Sequence, residues 1–347
     1  MGVDYMTVSF LVTFYNQKEY VKQSLDSILE INKPCDWEIL IGDDGSSDGT
    51  IDEVRKYVSL YPDNIKLYIM PRKQGEKYDP VKRASANRLN LLEHSKGNLF
   101  CTLDGDDYFC DREFIREAVE IFGNDNKISV VAFGFKYVGD TNDKRTLTLP
   151  GKFKNRCVDR KEFLKKYYIH AGGCVYKKCF DDERINYIKK LGYFDDNNIV
   201  VNNLNYGEMF AVNRIIYAYR QTGKSVYTSM DKVEQAVLNV QGMDVDIRLV
   251  SPDWKEAIEK RYASAVILMF IWRKRIKEVL GNEKYHEYES GCTNLMPSYC
   301  YDLLHYNEME YERLKIIKKI LKMQKKYTLI QYIRYWLATV EQACLNR

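Results

Sequence analysis

Glu38-Ile39-Leu40-Ile41-Gly42-Asp43-Asp44-Gly45-Ser46-Ser47-Asp48-Gly49-Thr50 is the stretch whose reading settles the fold class. Ile39 to Gly42 is apolar without alternation, the mark of a strand covered on both faces. Asp43, Asp44 and Gly45 stop it, since Asp and Gly favour turns. Thr50 to Leu60 then carries a helical pattern, with Asp48 placed as its N-cap. A buried strand, an acidic turn and a helix in immediate succession form the repeating unit of a parallel sheet.

The same alternation extends outward. Val8 to Thr13 predicts a buried strand and Gln17 to Leu29 an amphipathic helix. Ile65 to Met70 is a third strand, Val81 to His94 a helix closed by Gly97, and Leu99 to Leu103 a fourth strand. Beyond about Val130 the pattern loosens. Ser129 to Val138, Cys174 to Tyr176 and Ile215 to Tyr219 read as strands, and Asp159 with Glu162 as a capping box. After Asn239 the chain turns helical. The expected architecture is α/β, a mostly parallel Rossmann-like sheet with helices on both faces over residues 1–235. A mainly helical C-terminal region, 236–347, follows.

A chain of 347 residues with 45% hydrophobic and 29% charged residues has the balance of a soluble globular protein. Its net charge of +4 is too small to argue for nucleic acid. The nine cysteines contain no Cys-x-x-Cys pair, and the four histidines, at 94, 170, 286 and 305, have no metal-ligand spacing. Buried thiols in a reducing compartment are the expected state. Asp4 interrupts any secretory signal, and the longest apolar run, Ala263 to Trp272, is half of the roughly 20 residues a spanning helix needs. These features predict a cytoplasmic protein at or near the inner face of the cell membrane.

Chemistry gathers at the carboxyl ends of the predicted strands. The first ends in Thr13-Phe14-Tyr15-Asn16, the second in Asp43-Asp44, and the fourth in Asp104-Gly105-Asp106-Asp107. Open parallel sheets bind ligands at that edge. Carboxylates packed into four residues repel one another, and a hard cation such as Mg²⁺ or Mn²⁺, shared with substrate phosphates, relieves the repulsion. Such a cation would also neutralise a departing diphosphate. Asp43 and Tyr15 suit a nucleoside pocket, as a carboxylate and a ring to stack.

The order and spacing of these motifs resemble the family 2 glycosyltransferases of bacterial surface-polysaccharide type, inverting enzymes of GT-A fold. That family opens with an apolar strand and Pro-x-Tyr-Asn; here Val8 to Asn16 matches, with Thr13 in place of Pro. Glu38 to Thr50 resembles its second signature, and Asp104-Gly105-Asp106-Asp107 its Asp-x-Asp element. Ala84-Ser85-Ala86-Asn87-Arg88 is similar to its Ala-Arg-Asn segment with Arg and Asn exchanged.

The resemblance implies transfer of a sugar from a nucleotide donor, expected to be a UDP-sugar, to a glycan or lipid-linked acceptor. It implies that Thr13, Tyr15, Asn16, Asp43 and Asp44 line the nucleotide site, that Asp104 reaches the ribose, and that Asp106, with Asp104, binds the metal. Arg88, or Lys82 or Arg83, would face the diphosphate, as would Arg220 and Lys224. The acidic pair Asp195-Asp196 would supply the catalytic base, Asp196 taking the acceptor proton, with Asp181-Asp182 as the competing pair.

Other readings are weaker. Gly223-Lys224-Ser225 lacks the leading glycine of a phosphate loop, because residue 218 is Ala218. Leu103-Asp104-Gly105-Asp106 is similar to a haloacid-dehalogenase phosphatase motif but lies on the fourth strand. A transferase-like module that binds without turnover is the non-enzymatic alternative. Arg313 to Val340 holds eight Lys or Arg and no acid, with Leu314, Ile317, Ile320 and Leu321 on one helical face. That tail suits either a helix packed on the body or a peripheral contact with anionic lipid.

Overall fold

The computed structural model describes residues 6–72, 79–139, 146–147, 155–160, 162–163 and 169–222, with scattered positions between 230 and 283. Its contacts divide the chain into two units, Met1–Ser229 and Met230–Arg347. In the second unit the longest described stretch is 245–253, helical over 245–249. The basic tail, 313–340, and Lys224 lie outside the described residues.

The first unit is a ten-stranded mixed sheet. Its elements run β1 (Thr7–Phe14), α1 (Val21–Leu29), β2 (Asp36–Asp43), α2 (Thr50–Leu60), β3 (Ile65–Ile69), α3 (Pro80–His94), β4 (Leu99–Asp104), β5 (Tyr108–Phe109), α4 (Phe114–Asn124) and β6 (Ile128–Gly139). After these come β7 (Thr146–Leu147), β8 (Arg156–Val158), β9 (Cys174–Lys177), α5 (Asp182–Leu191), α6 (Asp196–Leu204) and β10 (Glu208–Gln221). The order across the sheet is β3-β2-β1-β4-β9-β6-β10-β5, with β7 beside β6 and β8 beside β10. β3, β2, β1 and β4 are mutually parallel, as are β6 and β10, whereas β9 lies antiparallel between β4 and β6.

Both faces of the parallel block are closed. On one, Phe10, Val12 and Phe14 of β1 join Val21, Leu25 and Ile28 of α1 and Phe114 and Phe122 of α4 in one core. On the other, Leu11 and Leu40 are buried and α3 packs across β1 and β2. The chain builds β1, β2 and β3 in one direction, then crosses through α3 to lay β4 on the far side of β1. Open sheets of this kind bind ligands at such a reversal, which here falls at the carboxyl ends of β1 and β4. Register makes those ends level: Thr13 pairs with Gly42 on one side and Asp104 on the other, and Phe14 with Asp43.

Several local expectations shift. The first helix begins at Val21, and the Gln17 N–H ahead of it donates to Thr50 Oγ1 at 2.9 Å. Gly49, at φ +94°, occupies the N-cap position of α2, and Asp48 supports the helix start from one residue earlier by accepting from the Thr50 N–H at 2.9 Å. Gly97 does not cap α3, whose C-cap is Ser95. A Cβ at Gly97 would stand 2.5 Å from Ser9 Oγ and 2.7 Å from two backbone oxygens, so close strand packing requires that glycine. The Asp159 side chain accepts from the Glu162 N–H, and the Glu162 carboxylate also pairs with Arg156.

Candidate active site

The loop after β2 is held by its own acids. Asp43 is fully buried, and its two oxygens accept from the Ser46 N–H at 2.7 Å and the Ser46 hydroxyl at 2.6 Å. Asn16, at φ +51°, donates its N–H to Ser46 Oγ and accepts from the Ser47 N–H, both at 2.8 Å. Asn tolerates that left-handed conformation better than most residues. Asp44 forms ion pairs with Arg83 and Arg72, and the Arg72 guanidinium lies over the Tyr15 ring at 4.5 Å. Asp43, Asp44 and Asn16 thus shape the mouth beside Tyr15.

The turn after β4 is fastened from three sides. Gly105 lies so close to Phe14 that a Cβ would meet its ring at 2.1 Å, which accounts for glycine between the acids. The Gly105 N–H donates to the Thr13 carbonyl at 2.8 Å, and the Thr13 hydroxyl to Asp104 Oδ1 at 3.1 Å. Asp107 is buried and accepts from the Tyr217 hydroxyl and the Arg220 N–H, both at 2.6 Å. The Arg220 guanidinium donates to the Asp106 carbonyl at 2.7 Å and to Gln23 Oε1 at 2.6 Å, and lies over the Tyr20 ring at 4.7 Å. Arg220, expected at the diphosphate, therefore grips the backbone of the acidic turn.

Helix α3 carries the cation of the site. The exchanged order of Asn and Arg has a physical reason. Asn87 is buried and donates to the Gly42 carbonyl at 2.9 Å, pinning the helix to β2. Arg88, one residue on, places Nη2 3.3 Å from Asp104 Oδ1 and 3.5 Å from Asp196 Oδ1. Asp195 is the N-cap of α6: it accepts from the Asn198 N–H, the Asn198 side chain returns the bond, and Tyr193 donates to its second oxygen at 3.0 Å. Asp196, in the first turn of α6, faces the guanidinium. The competing Asp181 caps α5, accepting from the Arg184 N–H.

Charge follows from these positions. Burial works against the Arg88 cation, but Asp104 and Asp196 outweigh it and hold the guanidinium protonated. Burial likewise opposes the Asp104 carboxylate, yet Arg88 keeps its pKa below the usual carboxylate value. Asp106 is pushed up to about 6, by burial and then by Asp104. Burial and the neighbouring acids also raise Asp107. Among the described residues no three His, Cys, Asp or Glu form a closed metal cage. Two carboxylates at an acidic turn nevertheless suit Mg²⁺ or Mn²⁺, which keep waters and substrate phosphates among their ligands. The rise of Asp106 beside Asp104 marks the uncompensated charge that a cation would relieve.

Tyr217, Asp107 and the Arg88–Asp196 link were not expected from sequence. Tyr217 left a trace in Gly172, where a Cβ would stand 2.1 Å from the Tyr217 ring.

Comparison with known proteins identifies the family. The sequence model of Glycosyl transferase family 2 matches residues 9–184. The minor teichoic acid biosynthesis protein GgaA of Bacillus subtilis is 23% identical over 219 residues, 61% of this chain and 47% of GgaA. The glycosyltransferase AglE of Haloferax volcanii is 31% identical over 100 residues, 28% of this chain and 30% of AglE. The chain thus spans less than half the length of either curated relative. Residues 1–349 of S. aureus TarS, solved with UDP-GlcNAc, align over 95% of this chain and 92% of that one, with a TM-score of 0.56 and 15% identity. That likeness is one of fold.

Proposed function

Because the chain belongs to glycosyl transferase family 2 and is a glycosyltransferase, we propose that it transfers a sugar with inversion from a nucleoside-diphosphate donor to a glycan or lipid-linked hydroxyl. UDP-sugars are the first donors to test, since TarS holds UDP-GlcNAc on a similar fold. The relation to GgaA supports an acceptor in cell-surface polymer synthesis. Residues 1–235 would form the transferase domain and 236–347 a helical region, whose basic tail would touch an anionic membrane surface from the cytoplasmic side.

The observation that carries the reading is the position of Arg88 between Asp104 and Asp196. One guanidinium joins the carboxylate at the nucleotide end to the carboxylate at the acceptor end. Tyr15 and Thr13 would flank the nucleobase within the loop that Asp43 and Asn16 hold, and Asp104 would take the ribose. Asp104 and Asp106 would hold Mg²⁺ or Mn²⁺, which supplies charge neutralisation to the leaving diphosphate. Asp196 accepts the proton of the acceptor hydroxyl as its oxygen bonds to the anomeric carbon, while the bond from that carbon to the diphosphate oxygen breaks. Asp195 keeps α6 capped, so that Asp196 stays in place.

A turnover screen of nucleotide sugars with Mn²⁺ and with Mg²⁺, the anomeric product being read by proton NMR coupling constants, tests this. Inverted product is expected. Retained configuration, or failure to bind or turn over any nucleotide sugar, overturns it.

A further inference from the structure

His170 has no part in the chemistry above, yet it is buried in the wall of the same site. It precedes the short 3-10 turn Ala171–Gly173, which leads into β9 and packs against β4, β6, β10 and α6. The turn lies close on its neighbours: Gly172 touches the Tyr217 ring, and the Tyr176 hydroxyl donates to the Ala171 carbonyl at 3.1 Å. The imidazole is only 5% exposed. Its ring centroid is 4.7 Å from that of Tyr217, 5.1 Å from Tyr219 and 5.2 Å from Phe135. Tyr217 in turn accepts from the Asp104 N–H at 3.4 Å and donates to Asp107, so the imidazole rests on the residue that fastens the acidic turn.

One bond fixes the tautomer. The Gly172 N–H donates to His170 Nδ1 at 3.2 Å, so Nδ1 carries no proton. A neutral ring must then carry its proton on Nε2. Burial lowers the His170 pKa, which favours that neutral ring. Nε2–H has no hydrogen-bond partner among the described residues, nor is Nε2 one of the side-chain atoms sealed from solvent without a partner. A donor of fixed direction that solvent can reach is free to exchange water for a ligand oxygen. Nδ1 and the ring faces are occupied by Gly172 and the aromatic residues, and Asp104 and Asp196 both act on the ring electrostatically. The donor-carrying edge is thus left without a partner among the described residues, beside Tyr217, the residue that bonds the Asp104 N–H.

The geometry points to His170 as a sugar-contacting residue, whose Nε2–H donates to a hydroxyl or amide oxygen of the transferred sugar. This rests on the glycosyltransferase reading and deepens it: Asp104 and Asp106 would hold the cation that meets the diphosphate, and His170 reads the sugar beyond it. A site built around such a donor discriminates against a ligand that offers no oxygen there.

The test uses the full chain with Mn²⁺ and UDP-GlcNAc, UDP-glucose, UDP-galactose or GDP-mannose, each against its free nucleoside diphosphate. With four histidines in the chain, nitrogen-15 correlation spectra can follow His170 directly. The expected spectrum shows unprotonated Nδ1 and protonated Nε2, with the Nε2–H signal moved by the bound nucleotide sugar and not by the diphosphate alone. His170→Phe should weaken the nucleotide sugar about three- to tenfold, the worth of one hydrogen bond, and leave diphosphate affinity unchanged. His170→Gln, which keeps a donor, should recover part of the loss.

A protonated Nδ1, an equal response to diphosphate alone, or equal losses of both ligands in His170→Phe overturns the inference while leaving the transferase reading intact. A wild-type chain that binds no nucleotide sugar overturns both. The wild-type spectra decide even if His170→Phe does not fold.

Discussion

Arg88 Nη2 lies 3.5 Å from Asp196 Oδ1, and the same nitrogen is 3.3 Å from Asp104. A cation shared by two carboxylates limits where each can turn. If Asp196 is the base, Asp196→Asn should lower turnover by orders of magnitude and leave donor affinity nearly unchanged, because the base acts chiefly in the transition state. Steady-state rates with donor binding by calorimetry check the split. A fall in donor affinity that matched the loss of rate would remove Asp196 from the role of base.

Arg88→Met should act differently. It leaves two carboxylates facing each other without their cation, so both stability and donor binding should fall. The stability loss is expected on the order of 1–3 kcal/mol for these partly exposed groups, after discounting for solvent screening. Urea melts and donor titrations would measure it. A variant as stable and as active as the wild type would show that the link carries no weight.

The acidic turn gives the sharpest metal prediction. Asp106→Asn should abolish metal-dependent donor binding, since it removes a charged oxygen from a buried position beside Asp104. Chelation of the wild-type chain should have the same effect, and added Mn²⁺ should reverse only the chelation. Unchanged metal-dependent binding in Asp106→Asn would exclude Asp106 as a ligand.

The parallel half of the sheet was legible because β1, β2 and β3 are apolar runs each followed by a helical period, and β2 and β4 end in acids. Thr50 to Leu60 is a helix over the expected bounds, and Leu99 to Leu103 extends by one residue, Asp104. The edge of the site at β10 was less legible. Tyr217 and Arg220 lie 110 and 113 residues from the Asp107 groups they bond, and no local pattern announces a contact at that separation. The bond from the Arg220 guanidinium to the Asp106 carbonyl was likewise not visible in the local sequence. The direction of β9 was equally hidden, since Cys174 to Tyr176 has the same apolar pattern in either orientation.

Tyr217→Phe isolates the fastening of the turn. It removes a hydroxyl that donates to the buried Asp107 carboxylate and keeps the ring that packs on Phe109 and His170. Leaving that acid one donor short should cost about 1–3 kcal/mol. Thermal melting would report the loss. Metal affinity should fall with it, because Asp104 and Asp106 share the four-residue turn with Asp107. A variant with unchanged melting temperature and metal affinity would reduce Tyr217 to a packing residue.

His170 also predicts how stability varies with pH. Burial depresses its folded pKa below 6.5, helped by Arg88, while Asp196 and Asp104 pull the other way without prevailing. The faces of Tyr217, Tyr219 and Phe135 pack against the ring and offer it no compensating charge. Above about pH 6.5 the imidazole is neutral in both folded and unfolded chains and adds no pH dependence. As pH falls below that value the unfolded chain takes up the proton first, so stability drops until the folded pKa is passed. His170→Gln removes this titration. The stability of the wild type minus that of the variant, from urea melts between pH 7.5 and 4.5, should therefore decline on acidification. The carboxylates common to both proteins largely cancel in the difference. A flat difference would mean that the folded ring titrates like the unfolded one, and an increase on acidification would mean that Asp104 and Asp196 hold His170 as a cation.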